Sequence, residues 1–169
     1  MEIVSLPQSG LRIKGKQASF LVDTLDKSTY NALILLAKSP EDVVAAEDVV
    51  TITGPGEYEV GGVKISGTKG SAGTVFRLKI DGLDILLGNI VAIEKLQQKL
   101  QEYNIVIVLC DTEQDGAFLT ALSSNVILFY GDNAKKVSEG LSKENVNVLS
   151  KYQTTLDKLP SEVETVVLE

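Results

Sequence analysis

Residues 75–88 read VFRLKIDGLDILLG. Phe76, Leu78 and Ile80 alternate with Arg77 and Lys79, so one face of the run is apolar and the other wet, the period-two pattern of a half-buried strand. Asp81-Gly82 then supplies a two-residue turn, and Leu83–Leu87 runs back. The stretch predicts an antiparallel hairpin. Upstream the same grammar repeats, with strand-like runs at Glu2–Ser5, Leu11–Lys14, Ser19–Asp23, Ala32–Ala37, Val49–Thr53, Tyr58–Val60 and Val63–Ser66 broken by Gly, Pro and Asp. In TGPGEYEVGG, residues 53–62, Pro55 presets φ for a turn, Gly56 takes a positive φ, and Gly61-Gly62 reverses the chain. The first half therefore predicts antiparallel sheet.

Downstream the period changes. In AIEKLQQKLQEY, residues 92–103, apolar residues fall at Ile93, Leu96, Leu100 and Tyr103, the stripe of an amphipathic helix. A buried strand at Ile105–Cys110, a short helix at Ala117–Leu122, a strand at Val126–Tyr130, a helix at Asn133–Leu141 capped by Asp132, and a closing strand in PSEVETVVLE follow. A meander followed by β-α-β-α-β predicts an α+β fold of two packed sheets with helices outside, as one domain spanning residues 1–169.

Composition narrows the function. Sixteen basic against twenty-three acidic residues give a net charge of −7, and with Arg12 and Arg77 as the only arginines there is no basic cluster to neutralise phosphates. Nucleic acid is not an expected partner. No apolar run is long enough to span a bilayer, and the N-terminal stretch lacks the pattern of a secretion signal. A single cysteine, Cys110, permits no internal disulfide and fits a reducing compartment, so a soluble, cytoplasmic protein is expected. The chain contains no histidine, which removes Cys-His and Ser-His-Asp nucleophilic catalysis outright.

Taken in order, ITGPGEYEVGGVKISG at 52–67, VFRLKIDGLDILLG at 75–88, Tyr130-Gly131-Asp132 after a strand, and the ending LDKLPSEVETVVLE resemble the metallo-β-lactamase-fold hydrolases, in particular a compact branch that includes sugar-phosphate lactonase-like proteins. The N-terminal third matches mainly in strand order and in Asp23 after an apolar strand. The resemblance implies an αββα four-layer sandwich with a two-metal site at one edge, where a bridging hydroxide attacks an ester, lactam or phosphodiester. Every ligand position implied by it departs. The His-x-His-x-Asp-His segment corresponds to Ala37-Lys38-Ser39-Pro40-Glu41-Asp42, and the loop Gly67–Gly73 supplies no histidine. The metal-bridging Asp corresponds to Asn89, and the last His, just before Tyr-Gly-Asp, to Phe129. Neither Ala nor Phe replaces the neutral, borderline-soft imidazole donor that Zn²⁺ requires.

Other motifs reduce to structure. Glu41, Asp42, Asn89, Ser39 and Asp23 offer oxygens that a hard cation would accept, against the plainer reading of Pro40-Glu41-Asp42 as a solvated helix start. Asp111–Gly116 imitates the start of a calcium loop, but its twelfth position is Leu122, so it reads as a cap and turn. The stretch GTKGSAGT lacks the Gly-Lys-Ser/Thr of a phosphate loop; it reads as a flexible hairpin loop, with anion binding through Lys69 the lesser alternative. Cys110 reads as a buried structural thiol.

The expected function is a non-catalytic relative of metal-dependent hydrolases, acting as a binding or assembly module with no cofactor and with a second copy or another protein as partner. Two alternatives remain: a hydrolase with a replaced, oxygen-ligated or metal-free site, and a receptor for a small molecule in the former cleft lined by Ala37, Ser39, Asn89 and Phe129, with Asp23, Lys69, Tyr130 and Asp132 as further cleft or structural positions.

Overall fold

The computed structural model describes residues 1–100, 102–141 and 146–169. The strands in chain order are β1 (Glu2–Leu6), β2 (Gly10–Lys14), β3 (Ser19–Val22), β4 (Ala32–Ile34), β5 (Val50–Ile52), β6 (Gly56–Val60), β7 (Val63–Gly70), β8 (Gly73–Ile80), β9 (Leu83–Asn89), β10 (Tyr103–Leu109), β11 (Ser124–Tyr130), β12 (Val146–Leu149), β13 (Lys151–Gln153) and β14 (Glu164–Leu168). Among the described residues, the α-helices α1 (Ile90–Leu96) and α2 (Ala134–Glu139) fall between them. A six-stranded sheet has the order β13-β1-β2-β3-β4-β5, and an eight-stranded sheet the order β12-β14-β11-β10-β9-β8-β7-β6.

The turns form for the reasons the sequence states. Asp81 and Gly82 hold φ of 53° and 82°, and Gly61 and Gly62 hold 59° and 76°, the double positive φ of a two-residue hairpin turn that matches strand twist. Asp81 is used twice: its carboxylate accepts the Lys16 amide at 3.0 Å and faces the Met1 ammonium at 3.4 Å, tying the hairpin to the other sheet. The segment after Gly67 is not a flexible loop as expected. It continues β7 in register with β8 to Gly70↔Gly73, and only Ser71-Ala72 form the turn.

Alternating residues then sort into layers. Phe76, Leu78, Ile85, Leu87, Ile105, Ile107, Leu128 and Val166 of the eight-stranded sheet meet Ile3, Ile13, Phe20, Val22 and Ile34 of the six-stranded one between the sheets. On the other face of the eight-stranded sheet, Leu86, Val106, Val108, Ile127, Phe129 and Val167 pack beneath Ile90, Ile93 and Leu96 of α1 and Ala134 and Val137 of α2. The six-stranded sheet's outer face is covered more thinly, by Leu35, Val43, Tyr30 and Ala45 over Leu21 and Leu33, so this layer is coil and turn rather than helix.

Several local expectations change. The first half is not wholly antiparallel, because β3, β4 and β5 pair in parallel. The long helical stripe ends as α1 and a 3₁₀ turn at Gln97–Lys99, since Tyr103 is needed to open β10 beside Ser124. Ala117–Ala121 is 3₁₀, and α2 begins without a side-chain cap, Asp132 being engaged elsewhere. β12 and β13 are additional short strands at one edge of each sheet, largely exposed apart from Tyr152, which is buried between the sheets. No helix among the described residues is long and apolar enough to cross a membrane.

Candidate functional site

Strands β9, β10 and β11 are parallel neighbours, and the register aligns Asn89 with Leu109 and Tyr130 at their C-terminal ends. Ligands of α/β sheets gather at that end. Asn89 closes β9 and opens α1. Its Oδ1 accepts the Val91 amide at 2.8 Å as the N-cap, and its Nδ2 donates to Asp111 Oδ1 at 2.6 Å. Both halves of the amide are therefore occupied.

Asp23 comes from the opposite sheet, immediately after β3. Its backbone holds φ of 51°, a left-handed conformation that Asp tolerates better than most residues, and its side chain is 1% exposed. Oδ1 accepts the amides of Leu36 at 2.8 Å, Ala37 at 3.2 Å and Lys38 at 3.2 Å, and Oδ2 also accepts Ala37 at 3.1 Å. The carboxylate thus clamps the turn that follows β4. Burial pushes its pKa up from 3.8, with the three amides and the Lys38 charge opposing.

Tyr130 lies between these groups. It is fully buried, its hydroxyl finds no hydrogen-bond partner among the described residues, and desolvation together with the charges of Asp23, Cys110 and Asp111 holds its pKa well above 10.0. A buried hydroxyl without a partner forfeits its hydration for nothing. Tyr130→Phe is accordingly expected to leave stability unchanged or raise it by about 1 kcal/mol. Denaturant unfolding of the two proteins checks this, and a loss beyond about 1 kcal/mol would mean that the hydroxyl holds a water or ligand.

The hairpin turn between β1 and β2 meets loops of this edge. Gln8 and Ser9 both adopt positive φ, 61° and 56°, without being Gly, Asn or Asp. Ser9 Oγ donates to Asp132 Oδ1 at 3.2 Å, and Lys38 Nζ donates to the Gln8 carbonyl at 3.3 Å. The turn thus joins loops of both sheets through Asp132 and Lys38.

Placement of the positions singled out from sequence is mixed. Asp23, Asn89, Tyr130 and Asp132 gather at this edge. Ala37 contributes its amide to the Asp23 clamp, with its surface exposed. Ser39 and Asp42 bond one another across an exposed turn, Ser39 Oγ to Asp42 Oδ2 at 2.8 Å, and Glu41 is exposed beside them, so the oxygens weighed for a hard cation are spent or face water. The Ser39 hydroxyl and amide draw the Asp42 pKa down. Lys69 stays exposed on β7. Phe129 requires correction: it packs under the helices, and strand alternation gives the inward position to Tyr130. Phe129 therefore does not line a cleft with Asn89.

Residues not singled out as cleft positions complete the edge: Ser9 and Gln8 of the turn, Lys38, and Asp111. Asp111 carried a signal, an acidic residue just past a buried strand, but its partner is 22 positions away in sequence. Asp115 caps the following 3₁₀ turn through Ala117 at 2.9 Å, the cap reading of that loop. Cys110 is buried, donates weakly to the Val108 carbonyl, and is pushed up to about 12 by desolvation and the Asp111 charge, as suits a structural thiol.

The metal implied by the resemblance does not fit these residues. Among the described residues no group of three or more His, Cys, Asp or Glu side chains lies close enough to hold an ion. The carboxylate that is best placed, Asp23, turns its lone pairs to backbone amides. At the other end of the parallel strands a groove of about 500 Å³ is lined by Asp84, Glu102, Tyr103, Asn104, Asn125 and serines. Its polar groups also satisfy one another, Asp84 with Arg77 at 2.8 Å, Asn104 with the Asp84 amide at 2.9 Å, and Asn125 with the Pro160 carbonyl at 3.0 Å.

No family model and no curated protein matches the sequence. Among solved structures, the chain is similar to a Thermotoga maritima protein assigned as a Zn-dependent hydrolase of the metallo-β-lactamase superfamily, with a TM-score of 0.75 and 17% identity over 100% of this chain and 99% of that one. It is also similar to a Parabacteroides distasonis protein assigned as a metal-dependent hydrolase, at TM-score 0.59 and 12% identity over 83% and 87% of the two chains. A variant of the CmlA β-hydroxylase superposes at TM-score 0.51 and 9% identity, covering 76% of this chain and 45% of that one. The fold is that of the metallo-β-lactamase superfamily.

Proposed function

We propose that this chain is a non-catalytic relative of the metal-dependent hydrolases, a binding or assembly module whose partner is a second copy or another protein. The observation that carries the reading is the allocation of polar groups at the sandwich edge. Asp23 is committed to three backbone amides and Asn89 to a helix cap and to Asp111, in a chain without histidine. These interactions hold a loop and a helix in place, which is architecture rather than chemistry. Burial supports the same view, since Asp23 is 1% and Tyr130 0% exposed, leaving no access for a substrate to either.

The test is the metal content of protein purified without chelator or affinity metal, by elemental mass spectrometry for Zn, Mn, Fe, Ca and Mg. The expected result is below about a tenth of an equivalent of each. A stoichiometric metal released on unfolding would overturn the reading in favour of a replaced-site hydrolase, with Asp42 the first residue to substitute.

A further inference from the structure

Under the helices, the outer face of the eight-stranded sheet is apolar, with Val75, Leu86, Val106 and Ile127. Leu96 of α1 packs over Gly70, at one end of the β7–β8 hairpin. The other end of that hairpin is left open, and there the same face carries charge. Lys64 of β7 stands opposite Lys79 of β8 and Ser66 opposite Arg77, and since their neighbours Ile65 and Leu78 point between the sheets, all four point outward. Together with Asp84 they line a surface cavity of about 190 Å³.

Like charges directly opposed in a ladder repel. Asp84 stands opposite Lys79, but its Oδ1 is taken by Arg77, which donates from Nε at 2.9 Å and lies within 2.8 Å through Nη2. On β6, Glu59 stands opposite Lys64 and Glu57 opposite Ser66. Among the described residues, even so, neither lysine ammonium forms an ion pair. The two lysines are held together with no counter-charge bound to them.

We propose that this cavity binds a phosphate dianion, as the free ion or a small monoester, between the ammonium groups of Lys64 and Lys79, with the Ser66 hydroxyl as a further donor. The inference goes beyond the module reading above and concerns another place, since Asp84 and Asn89 lie at opposite ends of β9, about 17 Å apart. Charge and size select the ligand. Among the lining residues, three cations (Lys64, Arg77, Lys79) against one carboxylate (Asp84) leave a charge of +2, which a dianion cancels. A carboxylate ligand brings one charge, whereas a phosphate group brings about −1.5 to −2 near neutral pH, with three acceptor oxygens. Lysine holds phosphate as a point charge and needs no fixed fork, which suits a site whose arginine is already tied to Asp84. A single small cavity in a chain of charge −7 suits one phosphate group rather than the phosphate run of a nucleic acid. The two lysines are 15 positions apart, so no basic run in the sequence announces the site.

Titration with inorganic phosphate at about pH 7.5 and about 50 mM ionic strength is expected to give saturable amide chemical-shift changes at Lys64, Ser66, Arg77 and Lys79, which chloride at matched ionic strength does not reproduce. Combining Lys64→Gln with Lys79→Gln is expected to weaken binding by about tenfold or more. Lys69→Gln, which alternation places on the other face of β7, leaves it intact. The double variant relieves a repulsion and so keeps the fold. Phosphate is accordingly expected to raise the melting temperature of the parent and not that of the variant. Lowering the pH from about 7.5 to about 5.5 protonates a monoester, whose second pKa is about 6, and is expected to weaken its binding severalfold while sulfate, a dianion throughout, binds equally at both. Tighter binding of glycerol phosphate than of inorganic phosphate assigns an ester, and equal binding the free ion. Shifts that do not saturate, that chloride reproduces, or that survive the double variant would overturn the proposal. None of these readouts involves a metal, so the non-catalytic reading stands or falls separately.

Discussion

Asp23→Ala is expected to lower unfolding stability by about 3–5 kcal/mol, a large share of the roughly 5–15 kcal/mol of an ordinary domain. The substitution removes the common acceptor of the Leu36, Ala37 and Lys38 amides, and leaves a residue with no local hydrogen bond to offer at φ of 51°. Asp23→Asn keeps one acceptor oxygen and is expected to lose less, about 1–2 kcal/mol at neutral pH. The two variants also separate geometry from charge. Because burial raises the folded pKa of Asp23 above 3.8, its stabilising contribution is complete below about that pH and declines as pH rises through the folded value. Exposed Asp42 runs the other way: its lowered pKa gives a contribution present above about pH 3.8 and lost as pH falls through the folded value. Asp23→Asn should therefore lose less stability than wild type as pH rises above about 3.8 through the folded value. Chemical denaturation across that range measures both effects. An Asp23→Ala protein as stable as wild type would remove the clamp from the account of this edge.

Phe129→His is the second large effect, and it tests the orientation of this side chain directly. Placing an imidazole at the position that the resemblance matches to a metal ligand is expected to cost about 2–4 kcal/mol and to bind no zinc. Phe129 is 0% exposed among Val108, Ala134 and Val137, so the imidazole would enter an apolar layer without a partner. Near-stoichiometric zinc with retained stability would show that the side chain faces the sandwich edge, contrary to the register of β11.

The hairpins were legible before any tertiary information. Asp81-Gly82 and Gly61-Gly62 specify their turns within two residues, and the alternation of Phe76 to Ile80 specifies which side is buried. The candidate site was only half legible. Val126–Tyr130 is apolar throughout and buried on both faces, so its pattern does not say whether Phe129 or Tyr130 turns inward. Likewise β12 and β13 carry no period of their own. They are strands because β14 and β1 offer edges to them.

The sequence by itself determined the strand grammar, the two-sheet class and the exclusion of imidazole chemistry, since turns, alternation and composition are local or global properties of the chain. Tertiary structure alone decided that β3, β4 and β5 run parallel, that Asp23 serves the amides 13–15 residues away, and that Ser9 meets Asp132 across 123 positions. These depend on which distant groups arrive together once the sheets pack. Buried polar groups then take whatever partners that packing supplies, and those partners are not encoded by spacing.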